Sequence, residues 1–470
     1  MKKNTHIRPR LGSVLACMCA LSLLLSMTAC QGSDNTSAPA EDEEIVTLPP
    51  ITVPDLTDDR TPTDVTDYDE RLSSLFSATP ETPATDFTYE TVEGGVSITG
   101  YTGGELVILI PDTIDDLPVV SIAPKAFEGK GNLRAVSIPD SVTTIGVGAF
   151  TGCKGLTSLR TPVYTCPDAP YFGALFGAVS HEAGGGSVPA NLATLVITKG
   201  ETIPDYAFYA CRGLEVVSLP ATMTEIGNFS FYGCQSLAYI PTAHTAITAV
   251  GDYAFTNCSA LIELELPPTV TSMGRSMLMG CGKLESLTVP FVGGQATARE
   301  DAPNNAYLGY LFGASDYTFT AGFLPASLMT VTVSEGCTAI PDNAFFECAS
   351  VREIHLPEGV TSIGRRAFYG CERLTAMTLP DSVTTLGDDA FHGCIRMQTF
   401  TGGAGLTTMG IQAFMGCASL TTVTLPAGVT NLPNSCFSGC LSLTTLTAKG
   451  VQTRGDRVFH QCDKLQGWDK

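Results

Sequence analysis

The chain has 470 residues, 47 acidic against 26 basic, with 47 Gly, 29 Pro, 17 Cys and one Trp. That length exceeds what one compact core usually fills, and only 16% charged residues with frequent Gly and Pro suit turn-rich β structure. A formal net charge of −21 excludes nucleic-acid binding through clustered Lys and Arg, and excludes lying flat on an anionic bilayer.

Residues 1–30 read as a lipoprotein-type signal peptide. Lys2, Lys3, Arg8 and Arg10 precede an apolar run from Leu11 to Leu25, and Met27-Thr28-Ala29-Cys30 follows. That ending resembles a bacterial lipobox, which implies lipidation at Cys30; Met27 stands where Leu is usual, and a plain secretory signal is the alternative. No other stretch is long and apolar enough to span a membrane. Residues 31–90 carry a net charge of −13 with frequent Thr and Pro, and predict a disordered acidic linker. Asp64, Asp67 and Asp69 within it lack the Gly and distal Glu of an EF-hand loop. The remainder, 91–470, carries −12 once the signal's +4 is counted, so much of the acidity belongs to the linker.

A 23-residue repeat then organises the chain. Ala-Phe returns at 126, 149, 207, 254, 344, 367, 390 and 413, with Ser230-Phe231, Met277-Leu278, Cys436-Phe437 and Val458-Phe459 filling the gaps. A fixed period of this length means a solenoid or propeller. In the unit 367–387, AFYGCERLTAMTLPDSVTTLG, Leu374, Met377 and Leu379 point inward while Ala376 and Thr378 face out from a short strand. Pro380 ends that strand, Val383 and Leu386 turn back inward, and Gly387 is read as permitting a tight bend. Phe391 opens the next coil and packs below Phe368. One coil cannot bury its apolar groups alone, whereas stacked neighbours can.

Residues 91–125 predict an N-terminal cap whose strand Leu106–Ile110 precedes the regular coils of 126–470. Two coils are expanded, between Leu156 and Leu192 and between Leu284 and Leu328. They share a phrase, Tyr171-Phe-Gly-Ala-Leu-Phe-Gly-Ala178 and Tyr307-Leu-Gly-Tyr-Leu-Phe-Gly-Ala314, which either fills a widened core or forms a protruding binding loop. Counting cap, repeats and expanded coils gives 14 strands, a parallel sheet on the order of 65 Å long.

The phrase A-F-x-G-C-x-x-L-x-x-[VIL]-x-L-P-x-x-V-T-x-[IL]-G, cleanest at Ala367–Gly387, resembles the BspA-like leucine-rich repeat family of bacterial cell-surface proteins over about residues 100–466. The resemblance implies a leucine-rich repeat solenoid of parallel β-strands stacked from ~23-residue coils, one strand per coil. It also implies an exported, surface-exposed protein that adheres to host proteins or other cells and is not an enzyme. Fold likeness carries the partner far less well than the fold.

Eleven Cys occupy one repeat position: 153, 211, 234, 258, 281, 348, 371, 394, 417, 440 and 462. A line of one thiol per coil cannot converge tetrahedrally on zinc, and reads as a structural ladder and not as a disulfide framework. Cys166, Cys337 and Cys436 fall off it, and Cys436 with Cys440 forms a C-x-x-x-C of undetermined redox state. Six scattered His, no H-E-x-x-H, no G-x-S-x-G, no phosphate loop and no dinucleotide fingerprint leave no catalytic constellation, metal or cofactor to expect. Glu263 and Glu265 share a strand face, but a glycosidase also needs a cleft between its carboxylates.

Alternation assigns Glu263, Glu265, Glu285, Arg352, Glu353 and His355 to an outward strand face in the middle coils. Thr378, Thr399, Thr401, Thr422, Thr424, Thr445 and Thr447 continue it. Such a face could capture a protein or glycan, one borne by a host extracellular or cell surface included; equally, Thr suits exposed strands and Glu keeps a sheet soluble. An adhesin-like lipoprotein, with the membrane reached only through its lipid, is the leading expectation. An envelope scaffold or nutrient- and glycan-capture lipoprotein is the second, and a hydrolase the third.

Overall fold

The computed structural model of the chain describes Phe76, residues 79–295 and residues 305–468, within a unit running from Asp64 to Lys470. The signal peptide, Cys30 and the linker through residue 75 lie outside the described residues. Composition takes the linker to residue 90, but the chain is folded earlier. Ala84–Asp86 form a 3₁₀ turn, and Phe87–Val92 pairs antiparallel with Gly95–Tyr101. The reason is Phe87, which is buried with its ring 5.4 Å from Tyr101.

The coil 367–387 shows how sequence becomes structure. Met377 is buried between exposed Ala376 and Thr378, and Leu374, Leu379, Val383 and Leu386 are buried with it. The strand pairs in parallel with the next coil, Ala376 opposite Thr399 and Thr378 opposite Thr401. Parallel rungs start at Val107, Ala135, Ser158, Thr194 and Val216, continue through a single bridge at Tyr239, and resume from Glu263 to Thr445. The fold is therefore a parallel-strand solenoid. It also holds a second strand per coil that a one-strand reading omits, such as Ser362–Ile363, Thr385–Leu386 and Thr408–Met409. These are two residues long, too short for alternation to reveal.

Aromatic rings run through the core. Phe345, Phe368, Phe391, Phe414 and Phe437 stack at 5.3, 4.8, 5.4 and 5.3 Å, all within 10° of parallel. Each ring is fully buried, a contribution on the order of 1.5–3 kcal/mol apiece. The first expanded coil keeps this stack going. Phe176 lies 6.1 Å from Phe150, and Phe172 lies 5.2 Å from Phe208. In the second expansion Phe312 is buried, and the Leu278 amide donates to the Leu311 carbonyl. The shared phrase is thus core, while the segments after it, including the helices His181–Ser187 and Thr320–Phe323, lie at the surface.

The cysteine ladder has a specific partner. The thiol of Cys371 donates to the carbonyl of Phe345 in the preceding coil at 3.2 Å, and Cys394, Cys417 and Cys440 repeat this on Phe368, Phe391 and Phe414. Each buried Phe carbonyl already accepts one backbone bond, so the thiol fills its second lone pair. Beside the first expansion the preceding coil is altered, and Cys211 reaches only the Tyr209 carbonyl at 4.0 Å.

Threonine hydroxyls stitch another edge: Thr361 donates to the Thr338 carbonyl, Thr384 to Thr361 and Thr407 to Thr384, at 3.0, 3.0 and 3.2 Å. Gly387 owes its place to close approach and not to a bend. A Cβ there would sit 2.6 Å from the Arg365 nitrogen and the Gly364 carbonyl carbon. The left-handed residue is Asp389, φ 55°, immediately before the Ala-Phe pair.

Two outcomes follow. Phe391→Ala removes the middle of the ring stack and should cost about 3–5 kcal/mol in guanidinium unfolding. Burial pushes the thiol of Cys153 up to about 11 and those of Cys234, Cys281 and Cys371 to about 12. The ladder thiols should therefore ignore Ellman's reagent at pH 8 in the folded protein and react once it is unfolded.

Candidate binding face

The outer strand face forms two rows in register. Glu263, Ser286, Thr330 and Glu353 align in one, and Glu265, Thr288, Thr332 and His355 in the other. Further along, Thr399, Thr422 and Thr445 face one another, as do Thr401, Thr424 and Thr447. The intervening residues Leu264, Ile354, Phe400, Val423 and Leu446 are buried, which fixes the outward direction of their neighbours. Glu285 and Arg352 are exposed but fall one residue before their strands, on the bend into the sheet. Two residues separate Leu284 from Leu287 there, so simple alternation fails and neither joins the rows.

The acidic and hydroxyl halves differ electrostatically. Glu353 lies 3.6 Å from His355, and both side chains are well exposed. Burial, and secondarily the charge of Glu265, push the carboxyl of half-buried Glu263 up from its ordinary value. The six outward hydroxyls of Thr399, Thr401, Thr422, Thr424, Thr445 and Thr447 bond to nothing among the described residues. Those of Thr421 and Thr444, one residue before their strands, are tied to preceding carbonyls.

Away from this face the structure assembles groups that sequence order does not. His392 Nδ1 sits 3.1 Å from Asp389 Oδ1, and Arg366 Nε lies 3.6 Å from the same carboxylate. No hydroxyl or thiol is hydrogen-bonded to His392 among the described residues. Nor is any group of three His, Cys, Asp or Glu placed there to hold a metal ion. Cys166, Cys337, Cys436 and Cys440 are all buried, and Cys440 keeps its place on the ladder through Phe414. Sequence reading also missed a strip of half-exposed rings on the turn side, at Tyr206, Tyr209, Phe229, Tyr232 and Tyr253. Aligning the residues that flank each Ala-Phe pair would have disclosed it.

Stacked parallel rungs, an inward Leu-x-x-Leu-x-Leu pattern and a buried Phe in nearly every turn define a leucine-rich repeat solenoid. The BspA type leucine rich repeat region matches in six copies over residues 120–166, 189–295 and 324–466, and the chain belongs to that family. Among solved structures it is similar to a leucine-rich repeat protein from Bacteroides ovatus. Identity there is 22%, over 82% of this chain and 81% of that one, with a TM-score of 0.38. It is also similar to a leucine rich cell surface protein from Faecalibacterium prausnitzii, at 25% identity over 80% and 97% of the two chains, TM-score 0.33. A leucine-rich repeat protein of T. pallidum is 18% identical over 82% and 91%, TM-score 0.23. No curated protein sequence matches the chain.

Because the folded state holds the Glu263 carboxyl above its unfolded value, its ionisation opposes folding, and that cost grows as pH rises through the carboxylate range. Glu263→Gln should therefore melt slightly above the parent at pH 7, with the difference vanishing below about pH 4. Paired thermal melts at the two pH values check the sign.

Proposed function

We propose that the chain is an exported, non-catalytic binding protein, held at the bacterial cell surface by a lipid on Cys30 and an acidic linker, that adheres to a protein or cell surface through its outer strand face. The observation that carries this reading is the contrast among threonines. Hydroxyls one residue before the strands are consumed by the scaffold, while those along the rows are left for an external partner. Glu263, Glu265 and Glu353 extend the same rows with negative charge, which steers a basic partner and fixes its register. Membership of a generally non-catalytic repeat family supports a binding role.

The uncharged hydroxyl half favours a second reading, capture of a glycan by an envelope scaffold or nutrient-binding lipoprotein. The purified mature chain, tested for pull-down against host matrix proteins, host cells and bacterial glycans at physiological salt, separates the two. Adhesion predicts saturable binding to a host component, weakened about tenfold or more by combined Glu263→Lys, Glu265→Lys and Glu353→Lys with a cooperative melt retained. Binding only to bacterial material or to glycans, or none at all, sinks the adhesin reading.

A further inference from the structure

The residue just before each Ala-Phe pair is polar or small in most coils: Lys125, Gly148, Ser276, Asn343, Arg366, Asp389 and Gln412. In three successive coils it is aromatic. Tyr206, Phe229 and Tyr253 take φ of 60°, 53° and 57°, a left-handed conformation unfavourable for bulky side chains. Their rings stack at 5.0 and 4.8 Å, with planes 1° and 11° apart. A second row runs beside them, Tyr209 and Tyr232 stacked at 5.0 Å and 4°. All five rings are half-exposed, whereas Phe208, Phe231 and Phe255 already fill the core of the same coils. The fold therefore gains no interior packing from them.

The two expanded coils bound this strip. At one end His181, opening the helix His181–Ser187, lies 4.3 Å from the Tyr206 ring and 5.7 Å edge-on from Tyr209. At the other, Ser276 and Leu278 donate backbone bonds to the carbonyls of Tyr310 and Leu311 in the second expansion. Four turns lie between, roughly 20 Å at ~4.8 Å per rung.

The rings cover one another's faces, so their exposed part is mainly edge, and the hydroxyls of Tyr206, Tyr209, Tyr232 and Tyr253 bond to nothing among the described residues. A sugar ring, which binds aromatic residues by lying on a face, finds little to stack on. Rigid tyrosines presenting an apolar edge and a hydroxyl instead suit protein contacts, because they lose little conformational freedom on binding. The rim carries exposed Glu182, Asp205 and Asp252 against Arg275, an acidic excess, with Asp205 and Asp252 also accepting bonds from the next coil's backbone amides. The geometry points to a docking strip for an extended basic segment of a partner protein, about six residues long and running along the solenoid axis. This site is separate from the outer strand face.

The test is an array of random dodecapeptides graded from strongly basic to strongly acidic, probed with the labelled mature chain. Tyr206→Asn, Phe229→Asn and Tyr253→Asn together remove the first row. Asn is tolerated in that conformation, as Asn343 shows at the equivalent position with φ 59°. Expected is a signal confined to basic peptides that falls about tenfold or more in this variant, with the thermal melt retained. Glu182→Lys should also lower it, and Tyr209→Phe with Tyr232→Phe, which keeps the rings, reads the hydroxyls should the triple variant not fold. A signal indifferent to peptide charge, or unchanged in these variants, overturns the proposal. So does row-dependent binding to a glycan array in place of the peptides. Loss on strand-face charge reversal alone would place peptide binding on the other surface and equally overturn it.

Discussion

Nearly every regular coil depends on the contact between a buried Phe and its counterpart about 23 residues away, Leu278 taking that place in one coil. The ring stacks on the ring, the Phe amide donates to the carbonyl of the next coil's Ala, and the Phe carbonyl receives the next coil's thiol. Three interactions of different kinds thus converge on one residue and demand the same spacing between coils. A coil that slipped by one residue would lose all three together. This explains why the step holds so closely at 23 and why Cys recurs in a chain read as exported: its hydrogen bond completes a buried carbonyl that Ala would leave half-satisfied.

The same constraint governs the expanded coils. A longer chain segment can be inserted only if the backbone ladder and the buried apolar column are handed across it. In the first expansion Phe172 and Phe176 carry the ring stack itself, and in the second the backbone ladder passes from Leu278 to Leu311 and from Leu308 to Ala344 around buried Phe312. The shared aromatic phrase therefore takes the core place of an Ala-Phe turn, although the thiol bond to the preceding coil is lost beside it at Cys211. The extra length then emerges at the surface, as the helices beginning at His181 and Thr320.

Much of this was legible because a repeat states each structural demand many times. The period, the inward positions of Leu374, Met377 and Leu379 and the thiol line all follow from residue identity at fixed offsets. What stayed hidden depends on relations between coils or on bends. The strand Thr385–Leu386 is too short to alternate, Gly387 answers a close backbone approach in the neighbouring coil, and Glu285 sits on a bend where inside-outside alternation lapses. The early start of the fold at Phe87 was masked by the acidic, Thr-rich composition around it. The candidate contact residues were the least legible, because a Thr in a row and a Thr before it look alike in sequence. Only the structure separates the hydroxyl of Thr421, bound to the Gln398 carbonyl, from that of Thr422.

That distinction bears on where a solenoid can acquire recognition. Positions whose side chains bridge coils are held by the repeat, since changing one breaks a contact with the next. Outer strand positions and the turn residues flanking Ala-Phe touch mainly their own equivalents, and so can drift without breaking the stack. The chain uses this freedom twice: Glu gives way to Thr along the strand rows, and polar residues give way to rings on the turns between the expansions. The first change alters charge without altering shape. The second accepts a left-handed backbone under bulky side chains in three successive coils, at positions that the core does not require to be aromatic. The backbone is left-handed at this position in every regular coil, so the rings are the variable part, and their mutual stacking leaves exposed aromatic surface where other coils present polar or small residues.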